Sequence, residues 1–284
     1  MRIFVAGAAG AIGRLMVPAL VQAGHDVVGM TRSPGHVDTI RQLGAQPVVA
    51  DVFDREQLET EVLRARPDCV IHQLTSLGNR DFAANSRIRI EGTRNLVDAA
   101  LKAGTRKMIA QSIAWAYEPG PSPAAEEVPL DLDAPLPRQG TIQGVAALEE
   151  EVSRMPESVI LRYGMFYGPG TWFEQNEWMA EQVRLGQIPA QDGITSFVHV
   201  EDAARAAVLA LDWPPGAVNI VDDEPASSRE WLPVYADLLG APAPTYEPGS
   251  PRGERGALNT KARQHYGWQP IYPSWRSGFA ENLK

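Results

Sequence analysis

The glycine-containing segment near the N-terminus constrains the fold of this chain more than any other feature. It reads GAAGAIG over residues 7–13, follows a short apolar run and opens a helix-length amphipathic segment. Gly7 permits a tight turn, Gly10 lets the backbone approach a ligand, and Gly13 lets the helix pack closely on the strand. The segment therefore predicts a strand–turn–helix unit whose helix N-terminus binds a pyrophosphate.

The alternation of apolar strands and helices continues along the chain. We predict strands over residues 2–7, 25–32, 46–51, 67–74, 106–112 and 158–164. We predict helices over residues 11–24, 54–64 and 83–103, and a further helix opened by Thr141. Continuous apolar strands, each followed by a helix, indicate a parallel sheet covered on both faces. Right-handed crossovers then give an α/β, doubly wound (Rossmann) fold.

The regular alternation ends near residue 165, where Gly-Pro punctuation begins. Strand–helix units recur at residues 195–211 and 217–240, and the tail has one short helix near 258–265. We predict a dinucleotide-binding core over residues 1–165 and a smaller substrate-binding lobe over residues 166–284. Parts of residues 195–225 are expected to return to the core.

Composition excludes several classes of function. The net charge of −9 argues against nucleic-acid binding. No stretch approaches about 18 apolar residues, so we expect no membrane span. The single cysteine, Cys69, lies in an apolar run, allows no internal disulfide and is expected to be buried. We find no cluster with metal-ligand spacing, and the lack of a targeting signal favours the cytoplasm.

The spacing GxxGxxG resembles that of the short-chain dehydrogenase/reductase superfamily. Further stretches are similar to its extended branch, the epimerase/dehydratase-like proteins, at residues 90–100, 161–170, 197–211 and 219–225. Arg89 departs from that pattern, because asparagine is usual at its position. The resemblance implies a nicotinamide dinucleotide, a small-molecule substrate, and a homodimer that pairs the helices of residues 83–103 and 141–154.

The end of the second strand bears on the choice of cofactor. An acidic residue there would bind the ribose 2′-hydroxyl of NAD, but the strand ends in Thr31-Arg32. Because Arg32 can make a bidentate contact with a 2′-phosphate, the sequence favours NADP(H), with NAD(H) as the alternative. The predicted cofactor-binding residues are Gly7, Ala9, Gly10, Ala11, Ile12, Gly13, Arg32, Asp51, Val52, Gln73, Leu74, Thr75, Gln111, Tyr163, Gly164 and Met165.

The proton-handling residues of the resembling family are missing from this chain. That family uses a Tyr-x-x-x-Lys pair four residues before a glutamate. Alignment on Glu149 places Thr141 at the tyrosine and Val145 at the lysine, and a shift by one residue gives Ile142 and Ala146. Neither register restores the pair. A positioned general acid contributes about 10²–10⁴ in rate, so the reaction must find another proton source or need little acid assistance.

Four residues remain as catalytic candidates. Ser112 matches the first of the family's usual pair of hydroxyl residues, whereas Ile113 stands at the position of the catalytic hydroxyl. Tyr117 ends the same segment, Thr141 replaces the tyrosine, and His72 closes a strand at the edge where doubly wound folds bind ligands. The alternative for Tyr117 is packing under the loop. The alternative for His72 is a half-buried imidazole whose hydrogen bonds are satisfied within the protein.

The aromatic residues after the Gly-Pro-Gly turn, including Trp172, Phe173 and Trp178, fit a hydrophobic or planar substrate better than a charged sugar nucleotide. Their packing within the smaller lobe is the alternative. Tyr163 and Tyr167 are candidates to line the pocket, and His199 is expected to be structural.

The sequence favours an atypical NADP(H)-dependent reductase. An epimerase or dehydratase acting on a sugar, a non-redox isomerase or cyclase, and a dinucleotide-binding sensor are the alternatives.

Overall fold

The computed structural model describes residues 1–78 and 80–283. The strands, in chain order, are β1 (Arg2–Ala6), β2 (Asp26–Thr31), β3 (Gln46–Val49), β4 (Cys69–His72), β5 (Lys107–Ile113), β6 (Glu157–Tyr163), β7 (Met165–Tyr167), β8 (Ile194–Thr195), β9 (Phe197–His199), β10 (Gly216–Ile220) and β11 (Ala226–Ser227).

The helices flank these strands along the chain. They are α1 (Ala11–Gln22), α2 (Val37–Gln42), α3 (Arg55–Ala65), α4 (Phe82–Arg87), α5 (Thr93–Lys102), α6 (Arg138–Ser153), α7 (Trp178–Arg184), α8 (Val200–Leu209), α9 (Ser228–Leu238), α10 (Thr260–Tyr266) and α11 (Trp275–Asn282). A π-helical turn, Ile88–Gly92, joins α4 to α5, so the single helix predicted over residues 83–103 has three parts.

The central sheet has seven strands in the order β10-β6-β5-β4-β1-β2-β3. The pairs of β1 with β2 and with β4, of β2 with β3, and of β4 with β5 are parallel. Strand order therefore reverses between β1 and β4, which is the crevice where doubly wound folds bind ligands. The predicted α/β doubly wound fold is confirmed.

The chain divides into two compact units. The first comprises residues 1–112, 132–161 and 204–217, and the second comprises residues 113–131, 162–203 and 218–284. The segment after β5 leaves the first unit for about twenty residues and then returns as α6. Residues 204–217, from within the stretch expected to return to the core, also belong to the first unit. Each unit therefore combines segments that are distant in sequence.

Each unit has its own apolar core. In the first, Phe4, Met30, Val70 and Met108 on one sheet face pack with buried residues of α3, α5 and α6. In the second, Phe173 and Phe197 belong to a cluster with residues of α9 and α11. Both clusters exclude water from the backbones of the elements that present the site residues.

Polar side chains fix two helix starts in the first unit. The Asp54 side chain accepts a hydrogen bond from the Gln57 N–H at 3.1 Å, and the Asp81 side chain accepts one from Ala84 at 2.9 Å. Among the residues described, no helix is long and apolar enough to cross a bilayer.

Candidate active site

The turn between β1 and α1 has the backbone geometry that an anion site needs. Gly7 has φ +97°, and a Cβ there would lie 2.7 Å from the Gln73 carbonyl oxygen. A Cβ on Gly13 would lie 2.5 Å from the carbonyl oxygens of Gly7 and Ala8, so both positions require glycine. Gly10 is the N-cap of α1 and makes no side-chain cap. The first N–H groups of this 12-residue helix, those of Ala11, Ile12 and Gly13, are therefore available to a pyrophosphate.

Gln73 follows β4 directly and has a buried side-chain amide without a hydrogen-bond partner among the described residues. Both polar atoms of the amide are enclosed. The residue is 7% exposed, and its backbone lies against Gly7. Because buried amides are nearly always paired, this one marks a place that a bound molecule or water completes. The residues around the turn therefore fit a dinucleotide.

The residues predicted for the adenosine side lie at the ends of β2 and β3. Arg32 follows β2 and is exposed. The Asp51 carboxylate accepts a hydrogen bond from the Phe53 N–H at 2.9 Å, and the Val52 carbonyl accepts one from Asn95 at 2.9 Å. Gly92 in the π-helical turn packs against Val52, since a Cβ there would lie 3.0 Å from its side chain. These contacts fix the backbone after β3.

The other predicted cofactor residues are divided between the two units. In the first unit, the Leu74 N–H donates to His72, Thr75 is exposed and Gln111 is buried in β5. In the second, the buried Tyr163 hydroxyl donates to the Ala203 carbonyl at 3.1 Å. Next to it, a Cβ on Gly164 would lie 2.6 Å from the Ser196 carbonyl oxygen, and Met165 begins β7.

Helix α6 begins three residues earlier than predicted, at Arg138, so Thr141 lies one turn inside it and does not open it. Thr141 is half-buried, whereas Val145 is fully buried. Thr141, Val145 and Glu149 recur at a spacing of four residues and share one helix face. This face carries no group that titrates near neutral pH between Thr141 and Glu149.

Helix α6 also approaches α4 closely at Gly144. A Cβ added there would lie 3.3 Å from the Ser86 Cα, and the Ser86 hydroxyl donates to the Gly140 carbonyl at 3.2 Å. Backbone-to-backbone packing of this kind leaves little room for a larger residue beside Val145.

Ser112 is engaged by the same helix face. Its buried hydroxyl donates to the Glu149 carboxylate, with 2.7 Å between the oxygens. The single proton of the hydroxyl is thereby used, so Ser112 offers only acceptor lone pairs to any other group. Arg89, in the π-helical turn, attracts the same carboxylate.

His72 is a satisfied, buried histidine. Its Nδ1 accepts from the Leu74 N–H at 3.2 Å, which leaves the proton on Nε2 to donate to the Thr93 hydroxyl at 2.9 Å. Burial, and then the nearby Arg89 charge, lower its pKa to about 4. The imidazole is therefore neutral at pH 7, and the geometry favours the structural alternative.

Tyr117 belongs to the second unit and is fully buried. Its hydroxyl donates to Asn219 at 2.5 Å and accepts from Arg162 at 3.0 Å. Burial raises its pKa to about 12, even though Arg162 lowers it. Burial and these partners favour the packing alternative for Tyr117.

The aromatic residues after the Gly-Pro-Gly turn also pack within the second unit. Phe173 is 3% exposed and stacks on Phe279, with 5.9 Å between ring centroids. Tyr167 is fully buried beside Gly278. His199 hydrogen-bonds Asn282 at 3.3 Å. Trp172 and Trp178 are half-buried and meet edge to face, with 6.0 Å between ring centroids.

Two charged residues were missed as site candidates. In the sequence, Arg89 stands out only as a departure from the usual asparagine, and Glu149 only as the glutamate that aligns the helix. The signal was present in the spacing of Thr141, Val145 and Glu149 on one helix face. No pattern in the sequence, however, indicates that the loop after β5 returns α6 to Ser112.

The family model for the NAD-dependent epimerase/dehydratase family matches residues 3–220. The chain therefore belongs to this family, within the extended short-chain dehydrogenases/reductases.

A relative from a Streptomyces species, named 3-diazoavenalumate denitrifying reductase, is 42% identical over 304 aligned residues, covering 98% of this chain and 99% of that protein.

Two solved structures share the fold. The Bordetella bronchiseptica enzyme WbmG in complex with NAD and UDP matches with a TM-score of 0.79 at 22% identity, covering 100% of this chain and 94% of that one. The Thermus thermophilus UDP-glucose 4-epimerase complex with NAD matches with a TM-score of 0.77 at 25% identity, covering 100% and 98%. This protein is an oxidoreductase of the short-chain dehydrogenase/reductase type, and its cofactor is a nicotinamide dinucleotide.

Proposed function

We propose that this protein is an NADPH-dependent reductase that replaces a diazo group with hydrogen on a planar organic acid. The reduced nicotinamide supplies a hydride. The hydride forms the new C–H bond, the C–N bond breaks, and its electron pair leaves with N₂. A diazonium ion plus hydride gives the reduced acid plus N₂, so the charges balance and no proton is consumed.

The observation that carries this proposal is the face of α6. Carbonyl reduction creates an alkoxide that must be protonated, and Thr141 and Val145 provide no acid for that step. Loss of N₂ creates no such anion. A retained dinucleotide turn beside an inert helix face is what hydride transfer without general acid catalysis requires.

The Streptomyces relative narrows the substrate class. Its name gives a diazo compound that is the anion of an acid, and it matches this chain over nearly its full length. Alkanediazonium ions lose N₂ in water without assistance, whereas a diazo group conjugated to an aromatic ring survives long enough to need an enzyme. This favours an aromatic diazo acid for the present protein as well.

Arg32 supports NADP(H) over NAD(H). It is exposed directly after β2, and the C-terminal end of that strand carries no acid, so a 2′-phosphate has a bidentate partner there. The remaining cofactor contacts are proposed at the Gly7–Gly13 turn and at the residues predicted after β3, β4, β5 and β6.

The proposed roles of the candidate catalytic residues are modest. Thr141 contacts the substrate, Ser112 acts as a hydrogen-bond acceptor, and His72 orders the backbone after β4. Tyr117 is not needed for proton transfer in this reaction. The lone, buried Cys69 fits action in a reducing compartment such as the cytoplasm, and the proposed assembly is a homodimer.

The test measures N₂ release and NADPH oxidation together, with an arenediazonium carboxylate as substrate. One N₂ per NADPH is expected, and 4-deuterated NADPH should place deuterium on the carbon that carried nitrogen. NADPH consumption without N₂, or N₂ release without deuterium in the product, would refute the proposal.

Arg32→Glu should weaken NADPH binding about 10-fold or more, whereas Arg41→Glu serves as the matched control because Arg41 already pairs with Asp38.

A further inference from the structure

Arg89 is a buried cation without a close ionic partner. Its side chain is 5% exposed. Within residues 1–78 and 80–283, no carboxylate oxygen lies within 4.0 Å of its guanidinium, and the guanidinium donates no hydrogen bond. An unpaired buried charge is costly, so proteins seldom keep one without a partner.

The groups around Arg89 leave its donors free. Glu149 is the attracting carboxylate, but it accepts the Ser112 proton. His72 is neutral at pH 7, because burial and the Arg89 charge hold its pKa to about 4. Burial also lowers the pKa of Arg89 to about 10, which still leaves it charged. A planar fork of five N–H groups therefore remains available to an oxygen ligand.

The position of Arg89 places this charge at the ligand edge of the sheet. The residue lies in the π-helical turn, and such turns are frequent at functional sites. Its two electrostatic neighbours lie beside the carboxyl ends of strands, since His72 ends β4 and Glu149 of α6 accepts a hydrogen bond from Ser112 near the end of β5. Doubly wound folds bind their ligands at these ends.

We infer that Arg89 recognises the substrate by binding its carboxylate through the guanidinium. A carboxylate matches the fork in shape and charge, and it supplies the close anion that the protein does not. This inference rests on the proposed function only in taking the substrate to be an organic acid. It does not require that a diazo group be removed.

The test uses an unreactive substrate mimic. A nitrile is isoelectronic with a diazonium group, so 3- and 4-cyanobenzoate imitate arenediazonium acids, and the corresponding cyanobenzamides lack the negative charge. Binding to the NADP⁺-saturated protein is measured by calorimetry. The wild type is expected to prefer the acids, and Arg89→Met is expected to weaken acid binding by about 30-fold or more without changing amide binding. Arg89→Lys should restore part of the preference.

Two controls separate recognition from structure. Arg87→Met removes an exposed arginine of the preceding turn that pairs with Glu91, and it should leave both affinities unchanged. Arg89→Met should hold or raise the melting temperature of the free protein, because it removes an unpaired buried charge. A stabilised variant that no longer binds the acid cannot have lost binding through misfolding.

Three outcomes would overturn the inference. These are a wild type with no preference for acid over amide, an Arg89→Met variant that keeps the preference, and a variant whose loss lies in NADP⁺ affinity. The last outcome would assign Arg89 to the cofactor. Absence of N₂ release from a diazonium acid would refute the proposed reaction, yet it would leave the acid preference and its dependence on Arg89 intact.

Discussion

Buried His72 links the stability of the protein to pH. Its pKa is about 4 in the folded protein and about 6.5 in the unfolded chain, because burial disfavours the imidazolium. Below pH 6.5 the His72 imidazole binds a proton in the unfolded chain but not in the folded protein. The stabilisation is complete above pH 6.5 and decreases until about pH 4.

We therefore predict that His72→Gln has a smaller loss of unfolding free energy than the wild type between pH 7 and pH 4. The wild type should lose on the order of 3 kcal/mol more over this range. Urea unfolding at several pH values measures the difference. If the unfolding free energy of both proteins changed equally with pH, His72 would not be the responsible group.

Thr141 allows a direct test of the demand for acid catalysis. If hydride transfer with loss of N₂ needs no proton donor, Thr141→Ala should lower kcat by less than about 10-fold, well short of the loss of a general acid. The kcat of both proteins should be independent of pH between 6 and 8. A bell-shaped profile, or a loss of 10³ or more, would show that Thr141 or another group transfers a proton.

At the scale of elements, the glycines of the β1–α1 turn have different roles. Gly13 is required by the packing of the fold, whereas Gly10 is required by the approach of the ligand. A Cβ on Gly13 meets backbone oxygens at 2.5 Å, whereas a Cβ on Gly10 meets only the Gly7 oxygen at 3.4 Å. We predict that Gly10→Ala keeps the melting temperature within a few degrees but weakens NADPH binding. Gly13→Ala should lower both. Thermal unfolding with and without NADPH checks the pair, and equal behaviour of the variants would contradict the assignment.

The helices and strands with strong local sequence signals were the easiest to predict. Continuous apolar strands and capped helices gave β1 to β6 and α3 within a few residues, since burial and capping are encoded locally. The start of α6 was placed at Thr141 although the helix begins at Arg138, because its first turn carries no capping side chain. The division of the single helix over residues 83–103 by a π-helical turn had no sequence signal.

The site was less predictable than the fold. The glycine turn was clear because backbone conformation restricts residue type at Gly7 and Gly13. The pairing of Ser112 with Glu149 spans 37 residues and depends on the return of α6 to the first unit. Burial of Tyr117, which decides between packing and chemistry, depends on Asn219 and Arg162, and neither is near it in sequence.

The assembly of the whole molecule can be tested through exposed apolar residues. Leu132 and Leu136 of the first unit are 57% and 77% exposed, close in sequence to α6. We predict a homodimer of the 30.9 kDa chain in sedimentation experiments, converted to monomer by Leu136→Asp. Leu185→Asp, at a leucine of the second unit that is 60% exposed, should leave the dimer intact. A monomeric wild type would refute the predicted pairing.

The packing around Val145 limits which catalytic groups can be introduced on helix α6. Val145 is fully buried, and the neighbouring Gly144 brings the α6 backbone against Ser86. A lysine introduced at position 145 would have to bury an ammonium group, and a tyrosine introduced at position 141 would gain nothing without it. No single mutation on this helix therefore creates a working Tyr-x-x-x-Lys pair. Conversion of this protein into a reductase that depends on such a pair requires simultaneous changes at positions 141 and 145 and in the residues that pack around them.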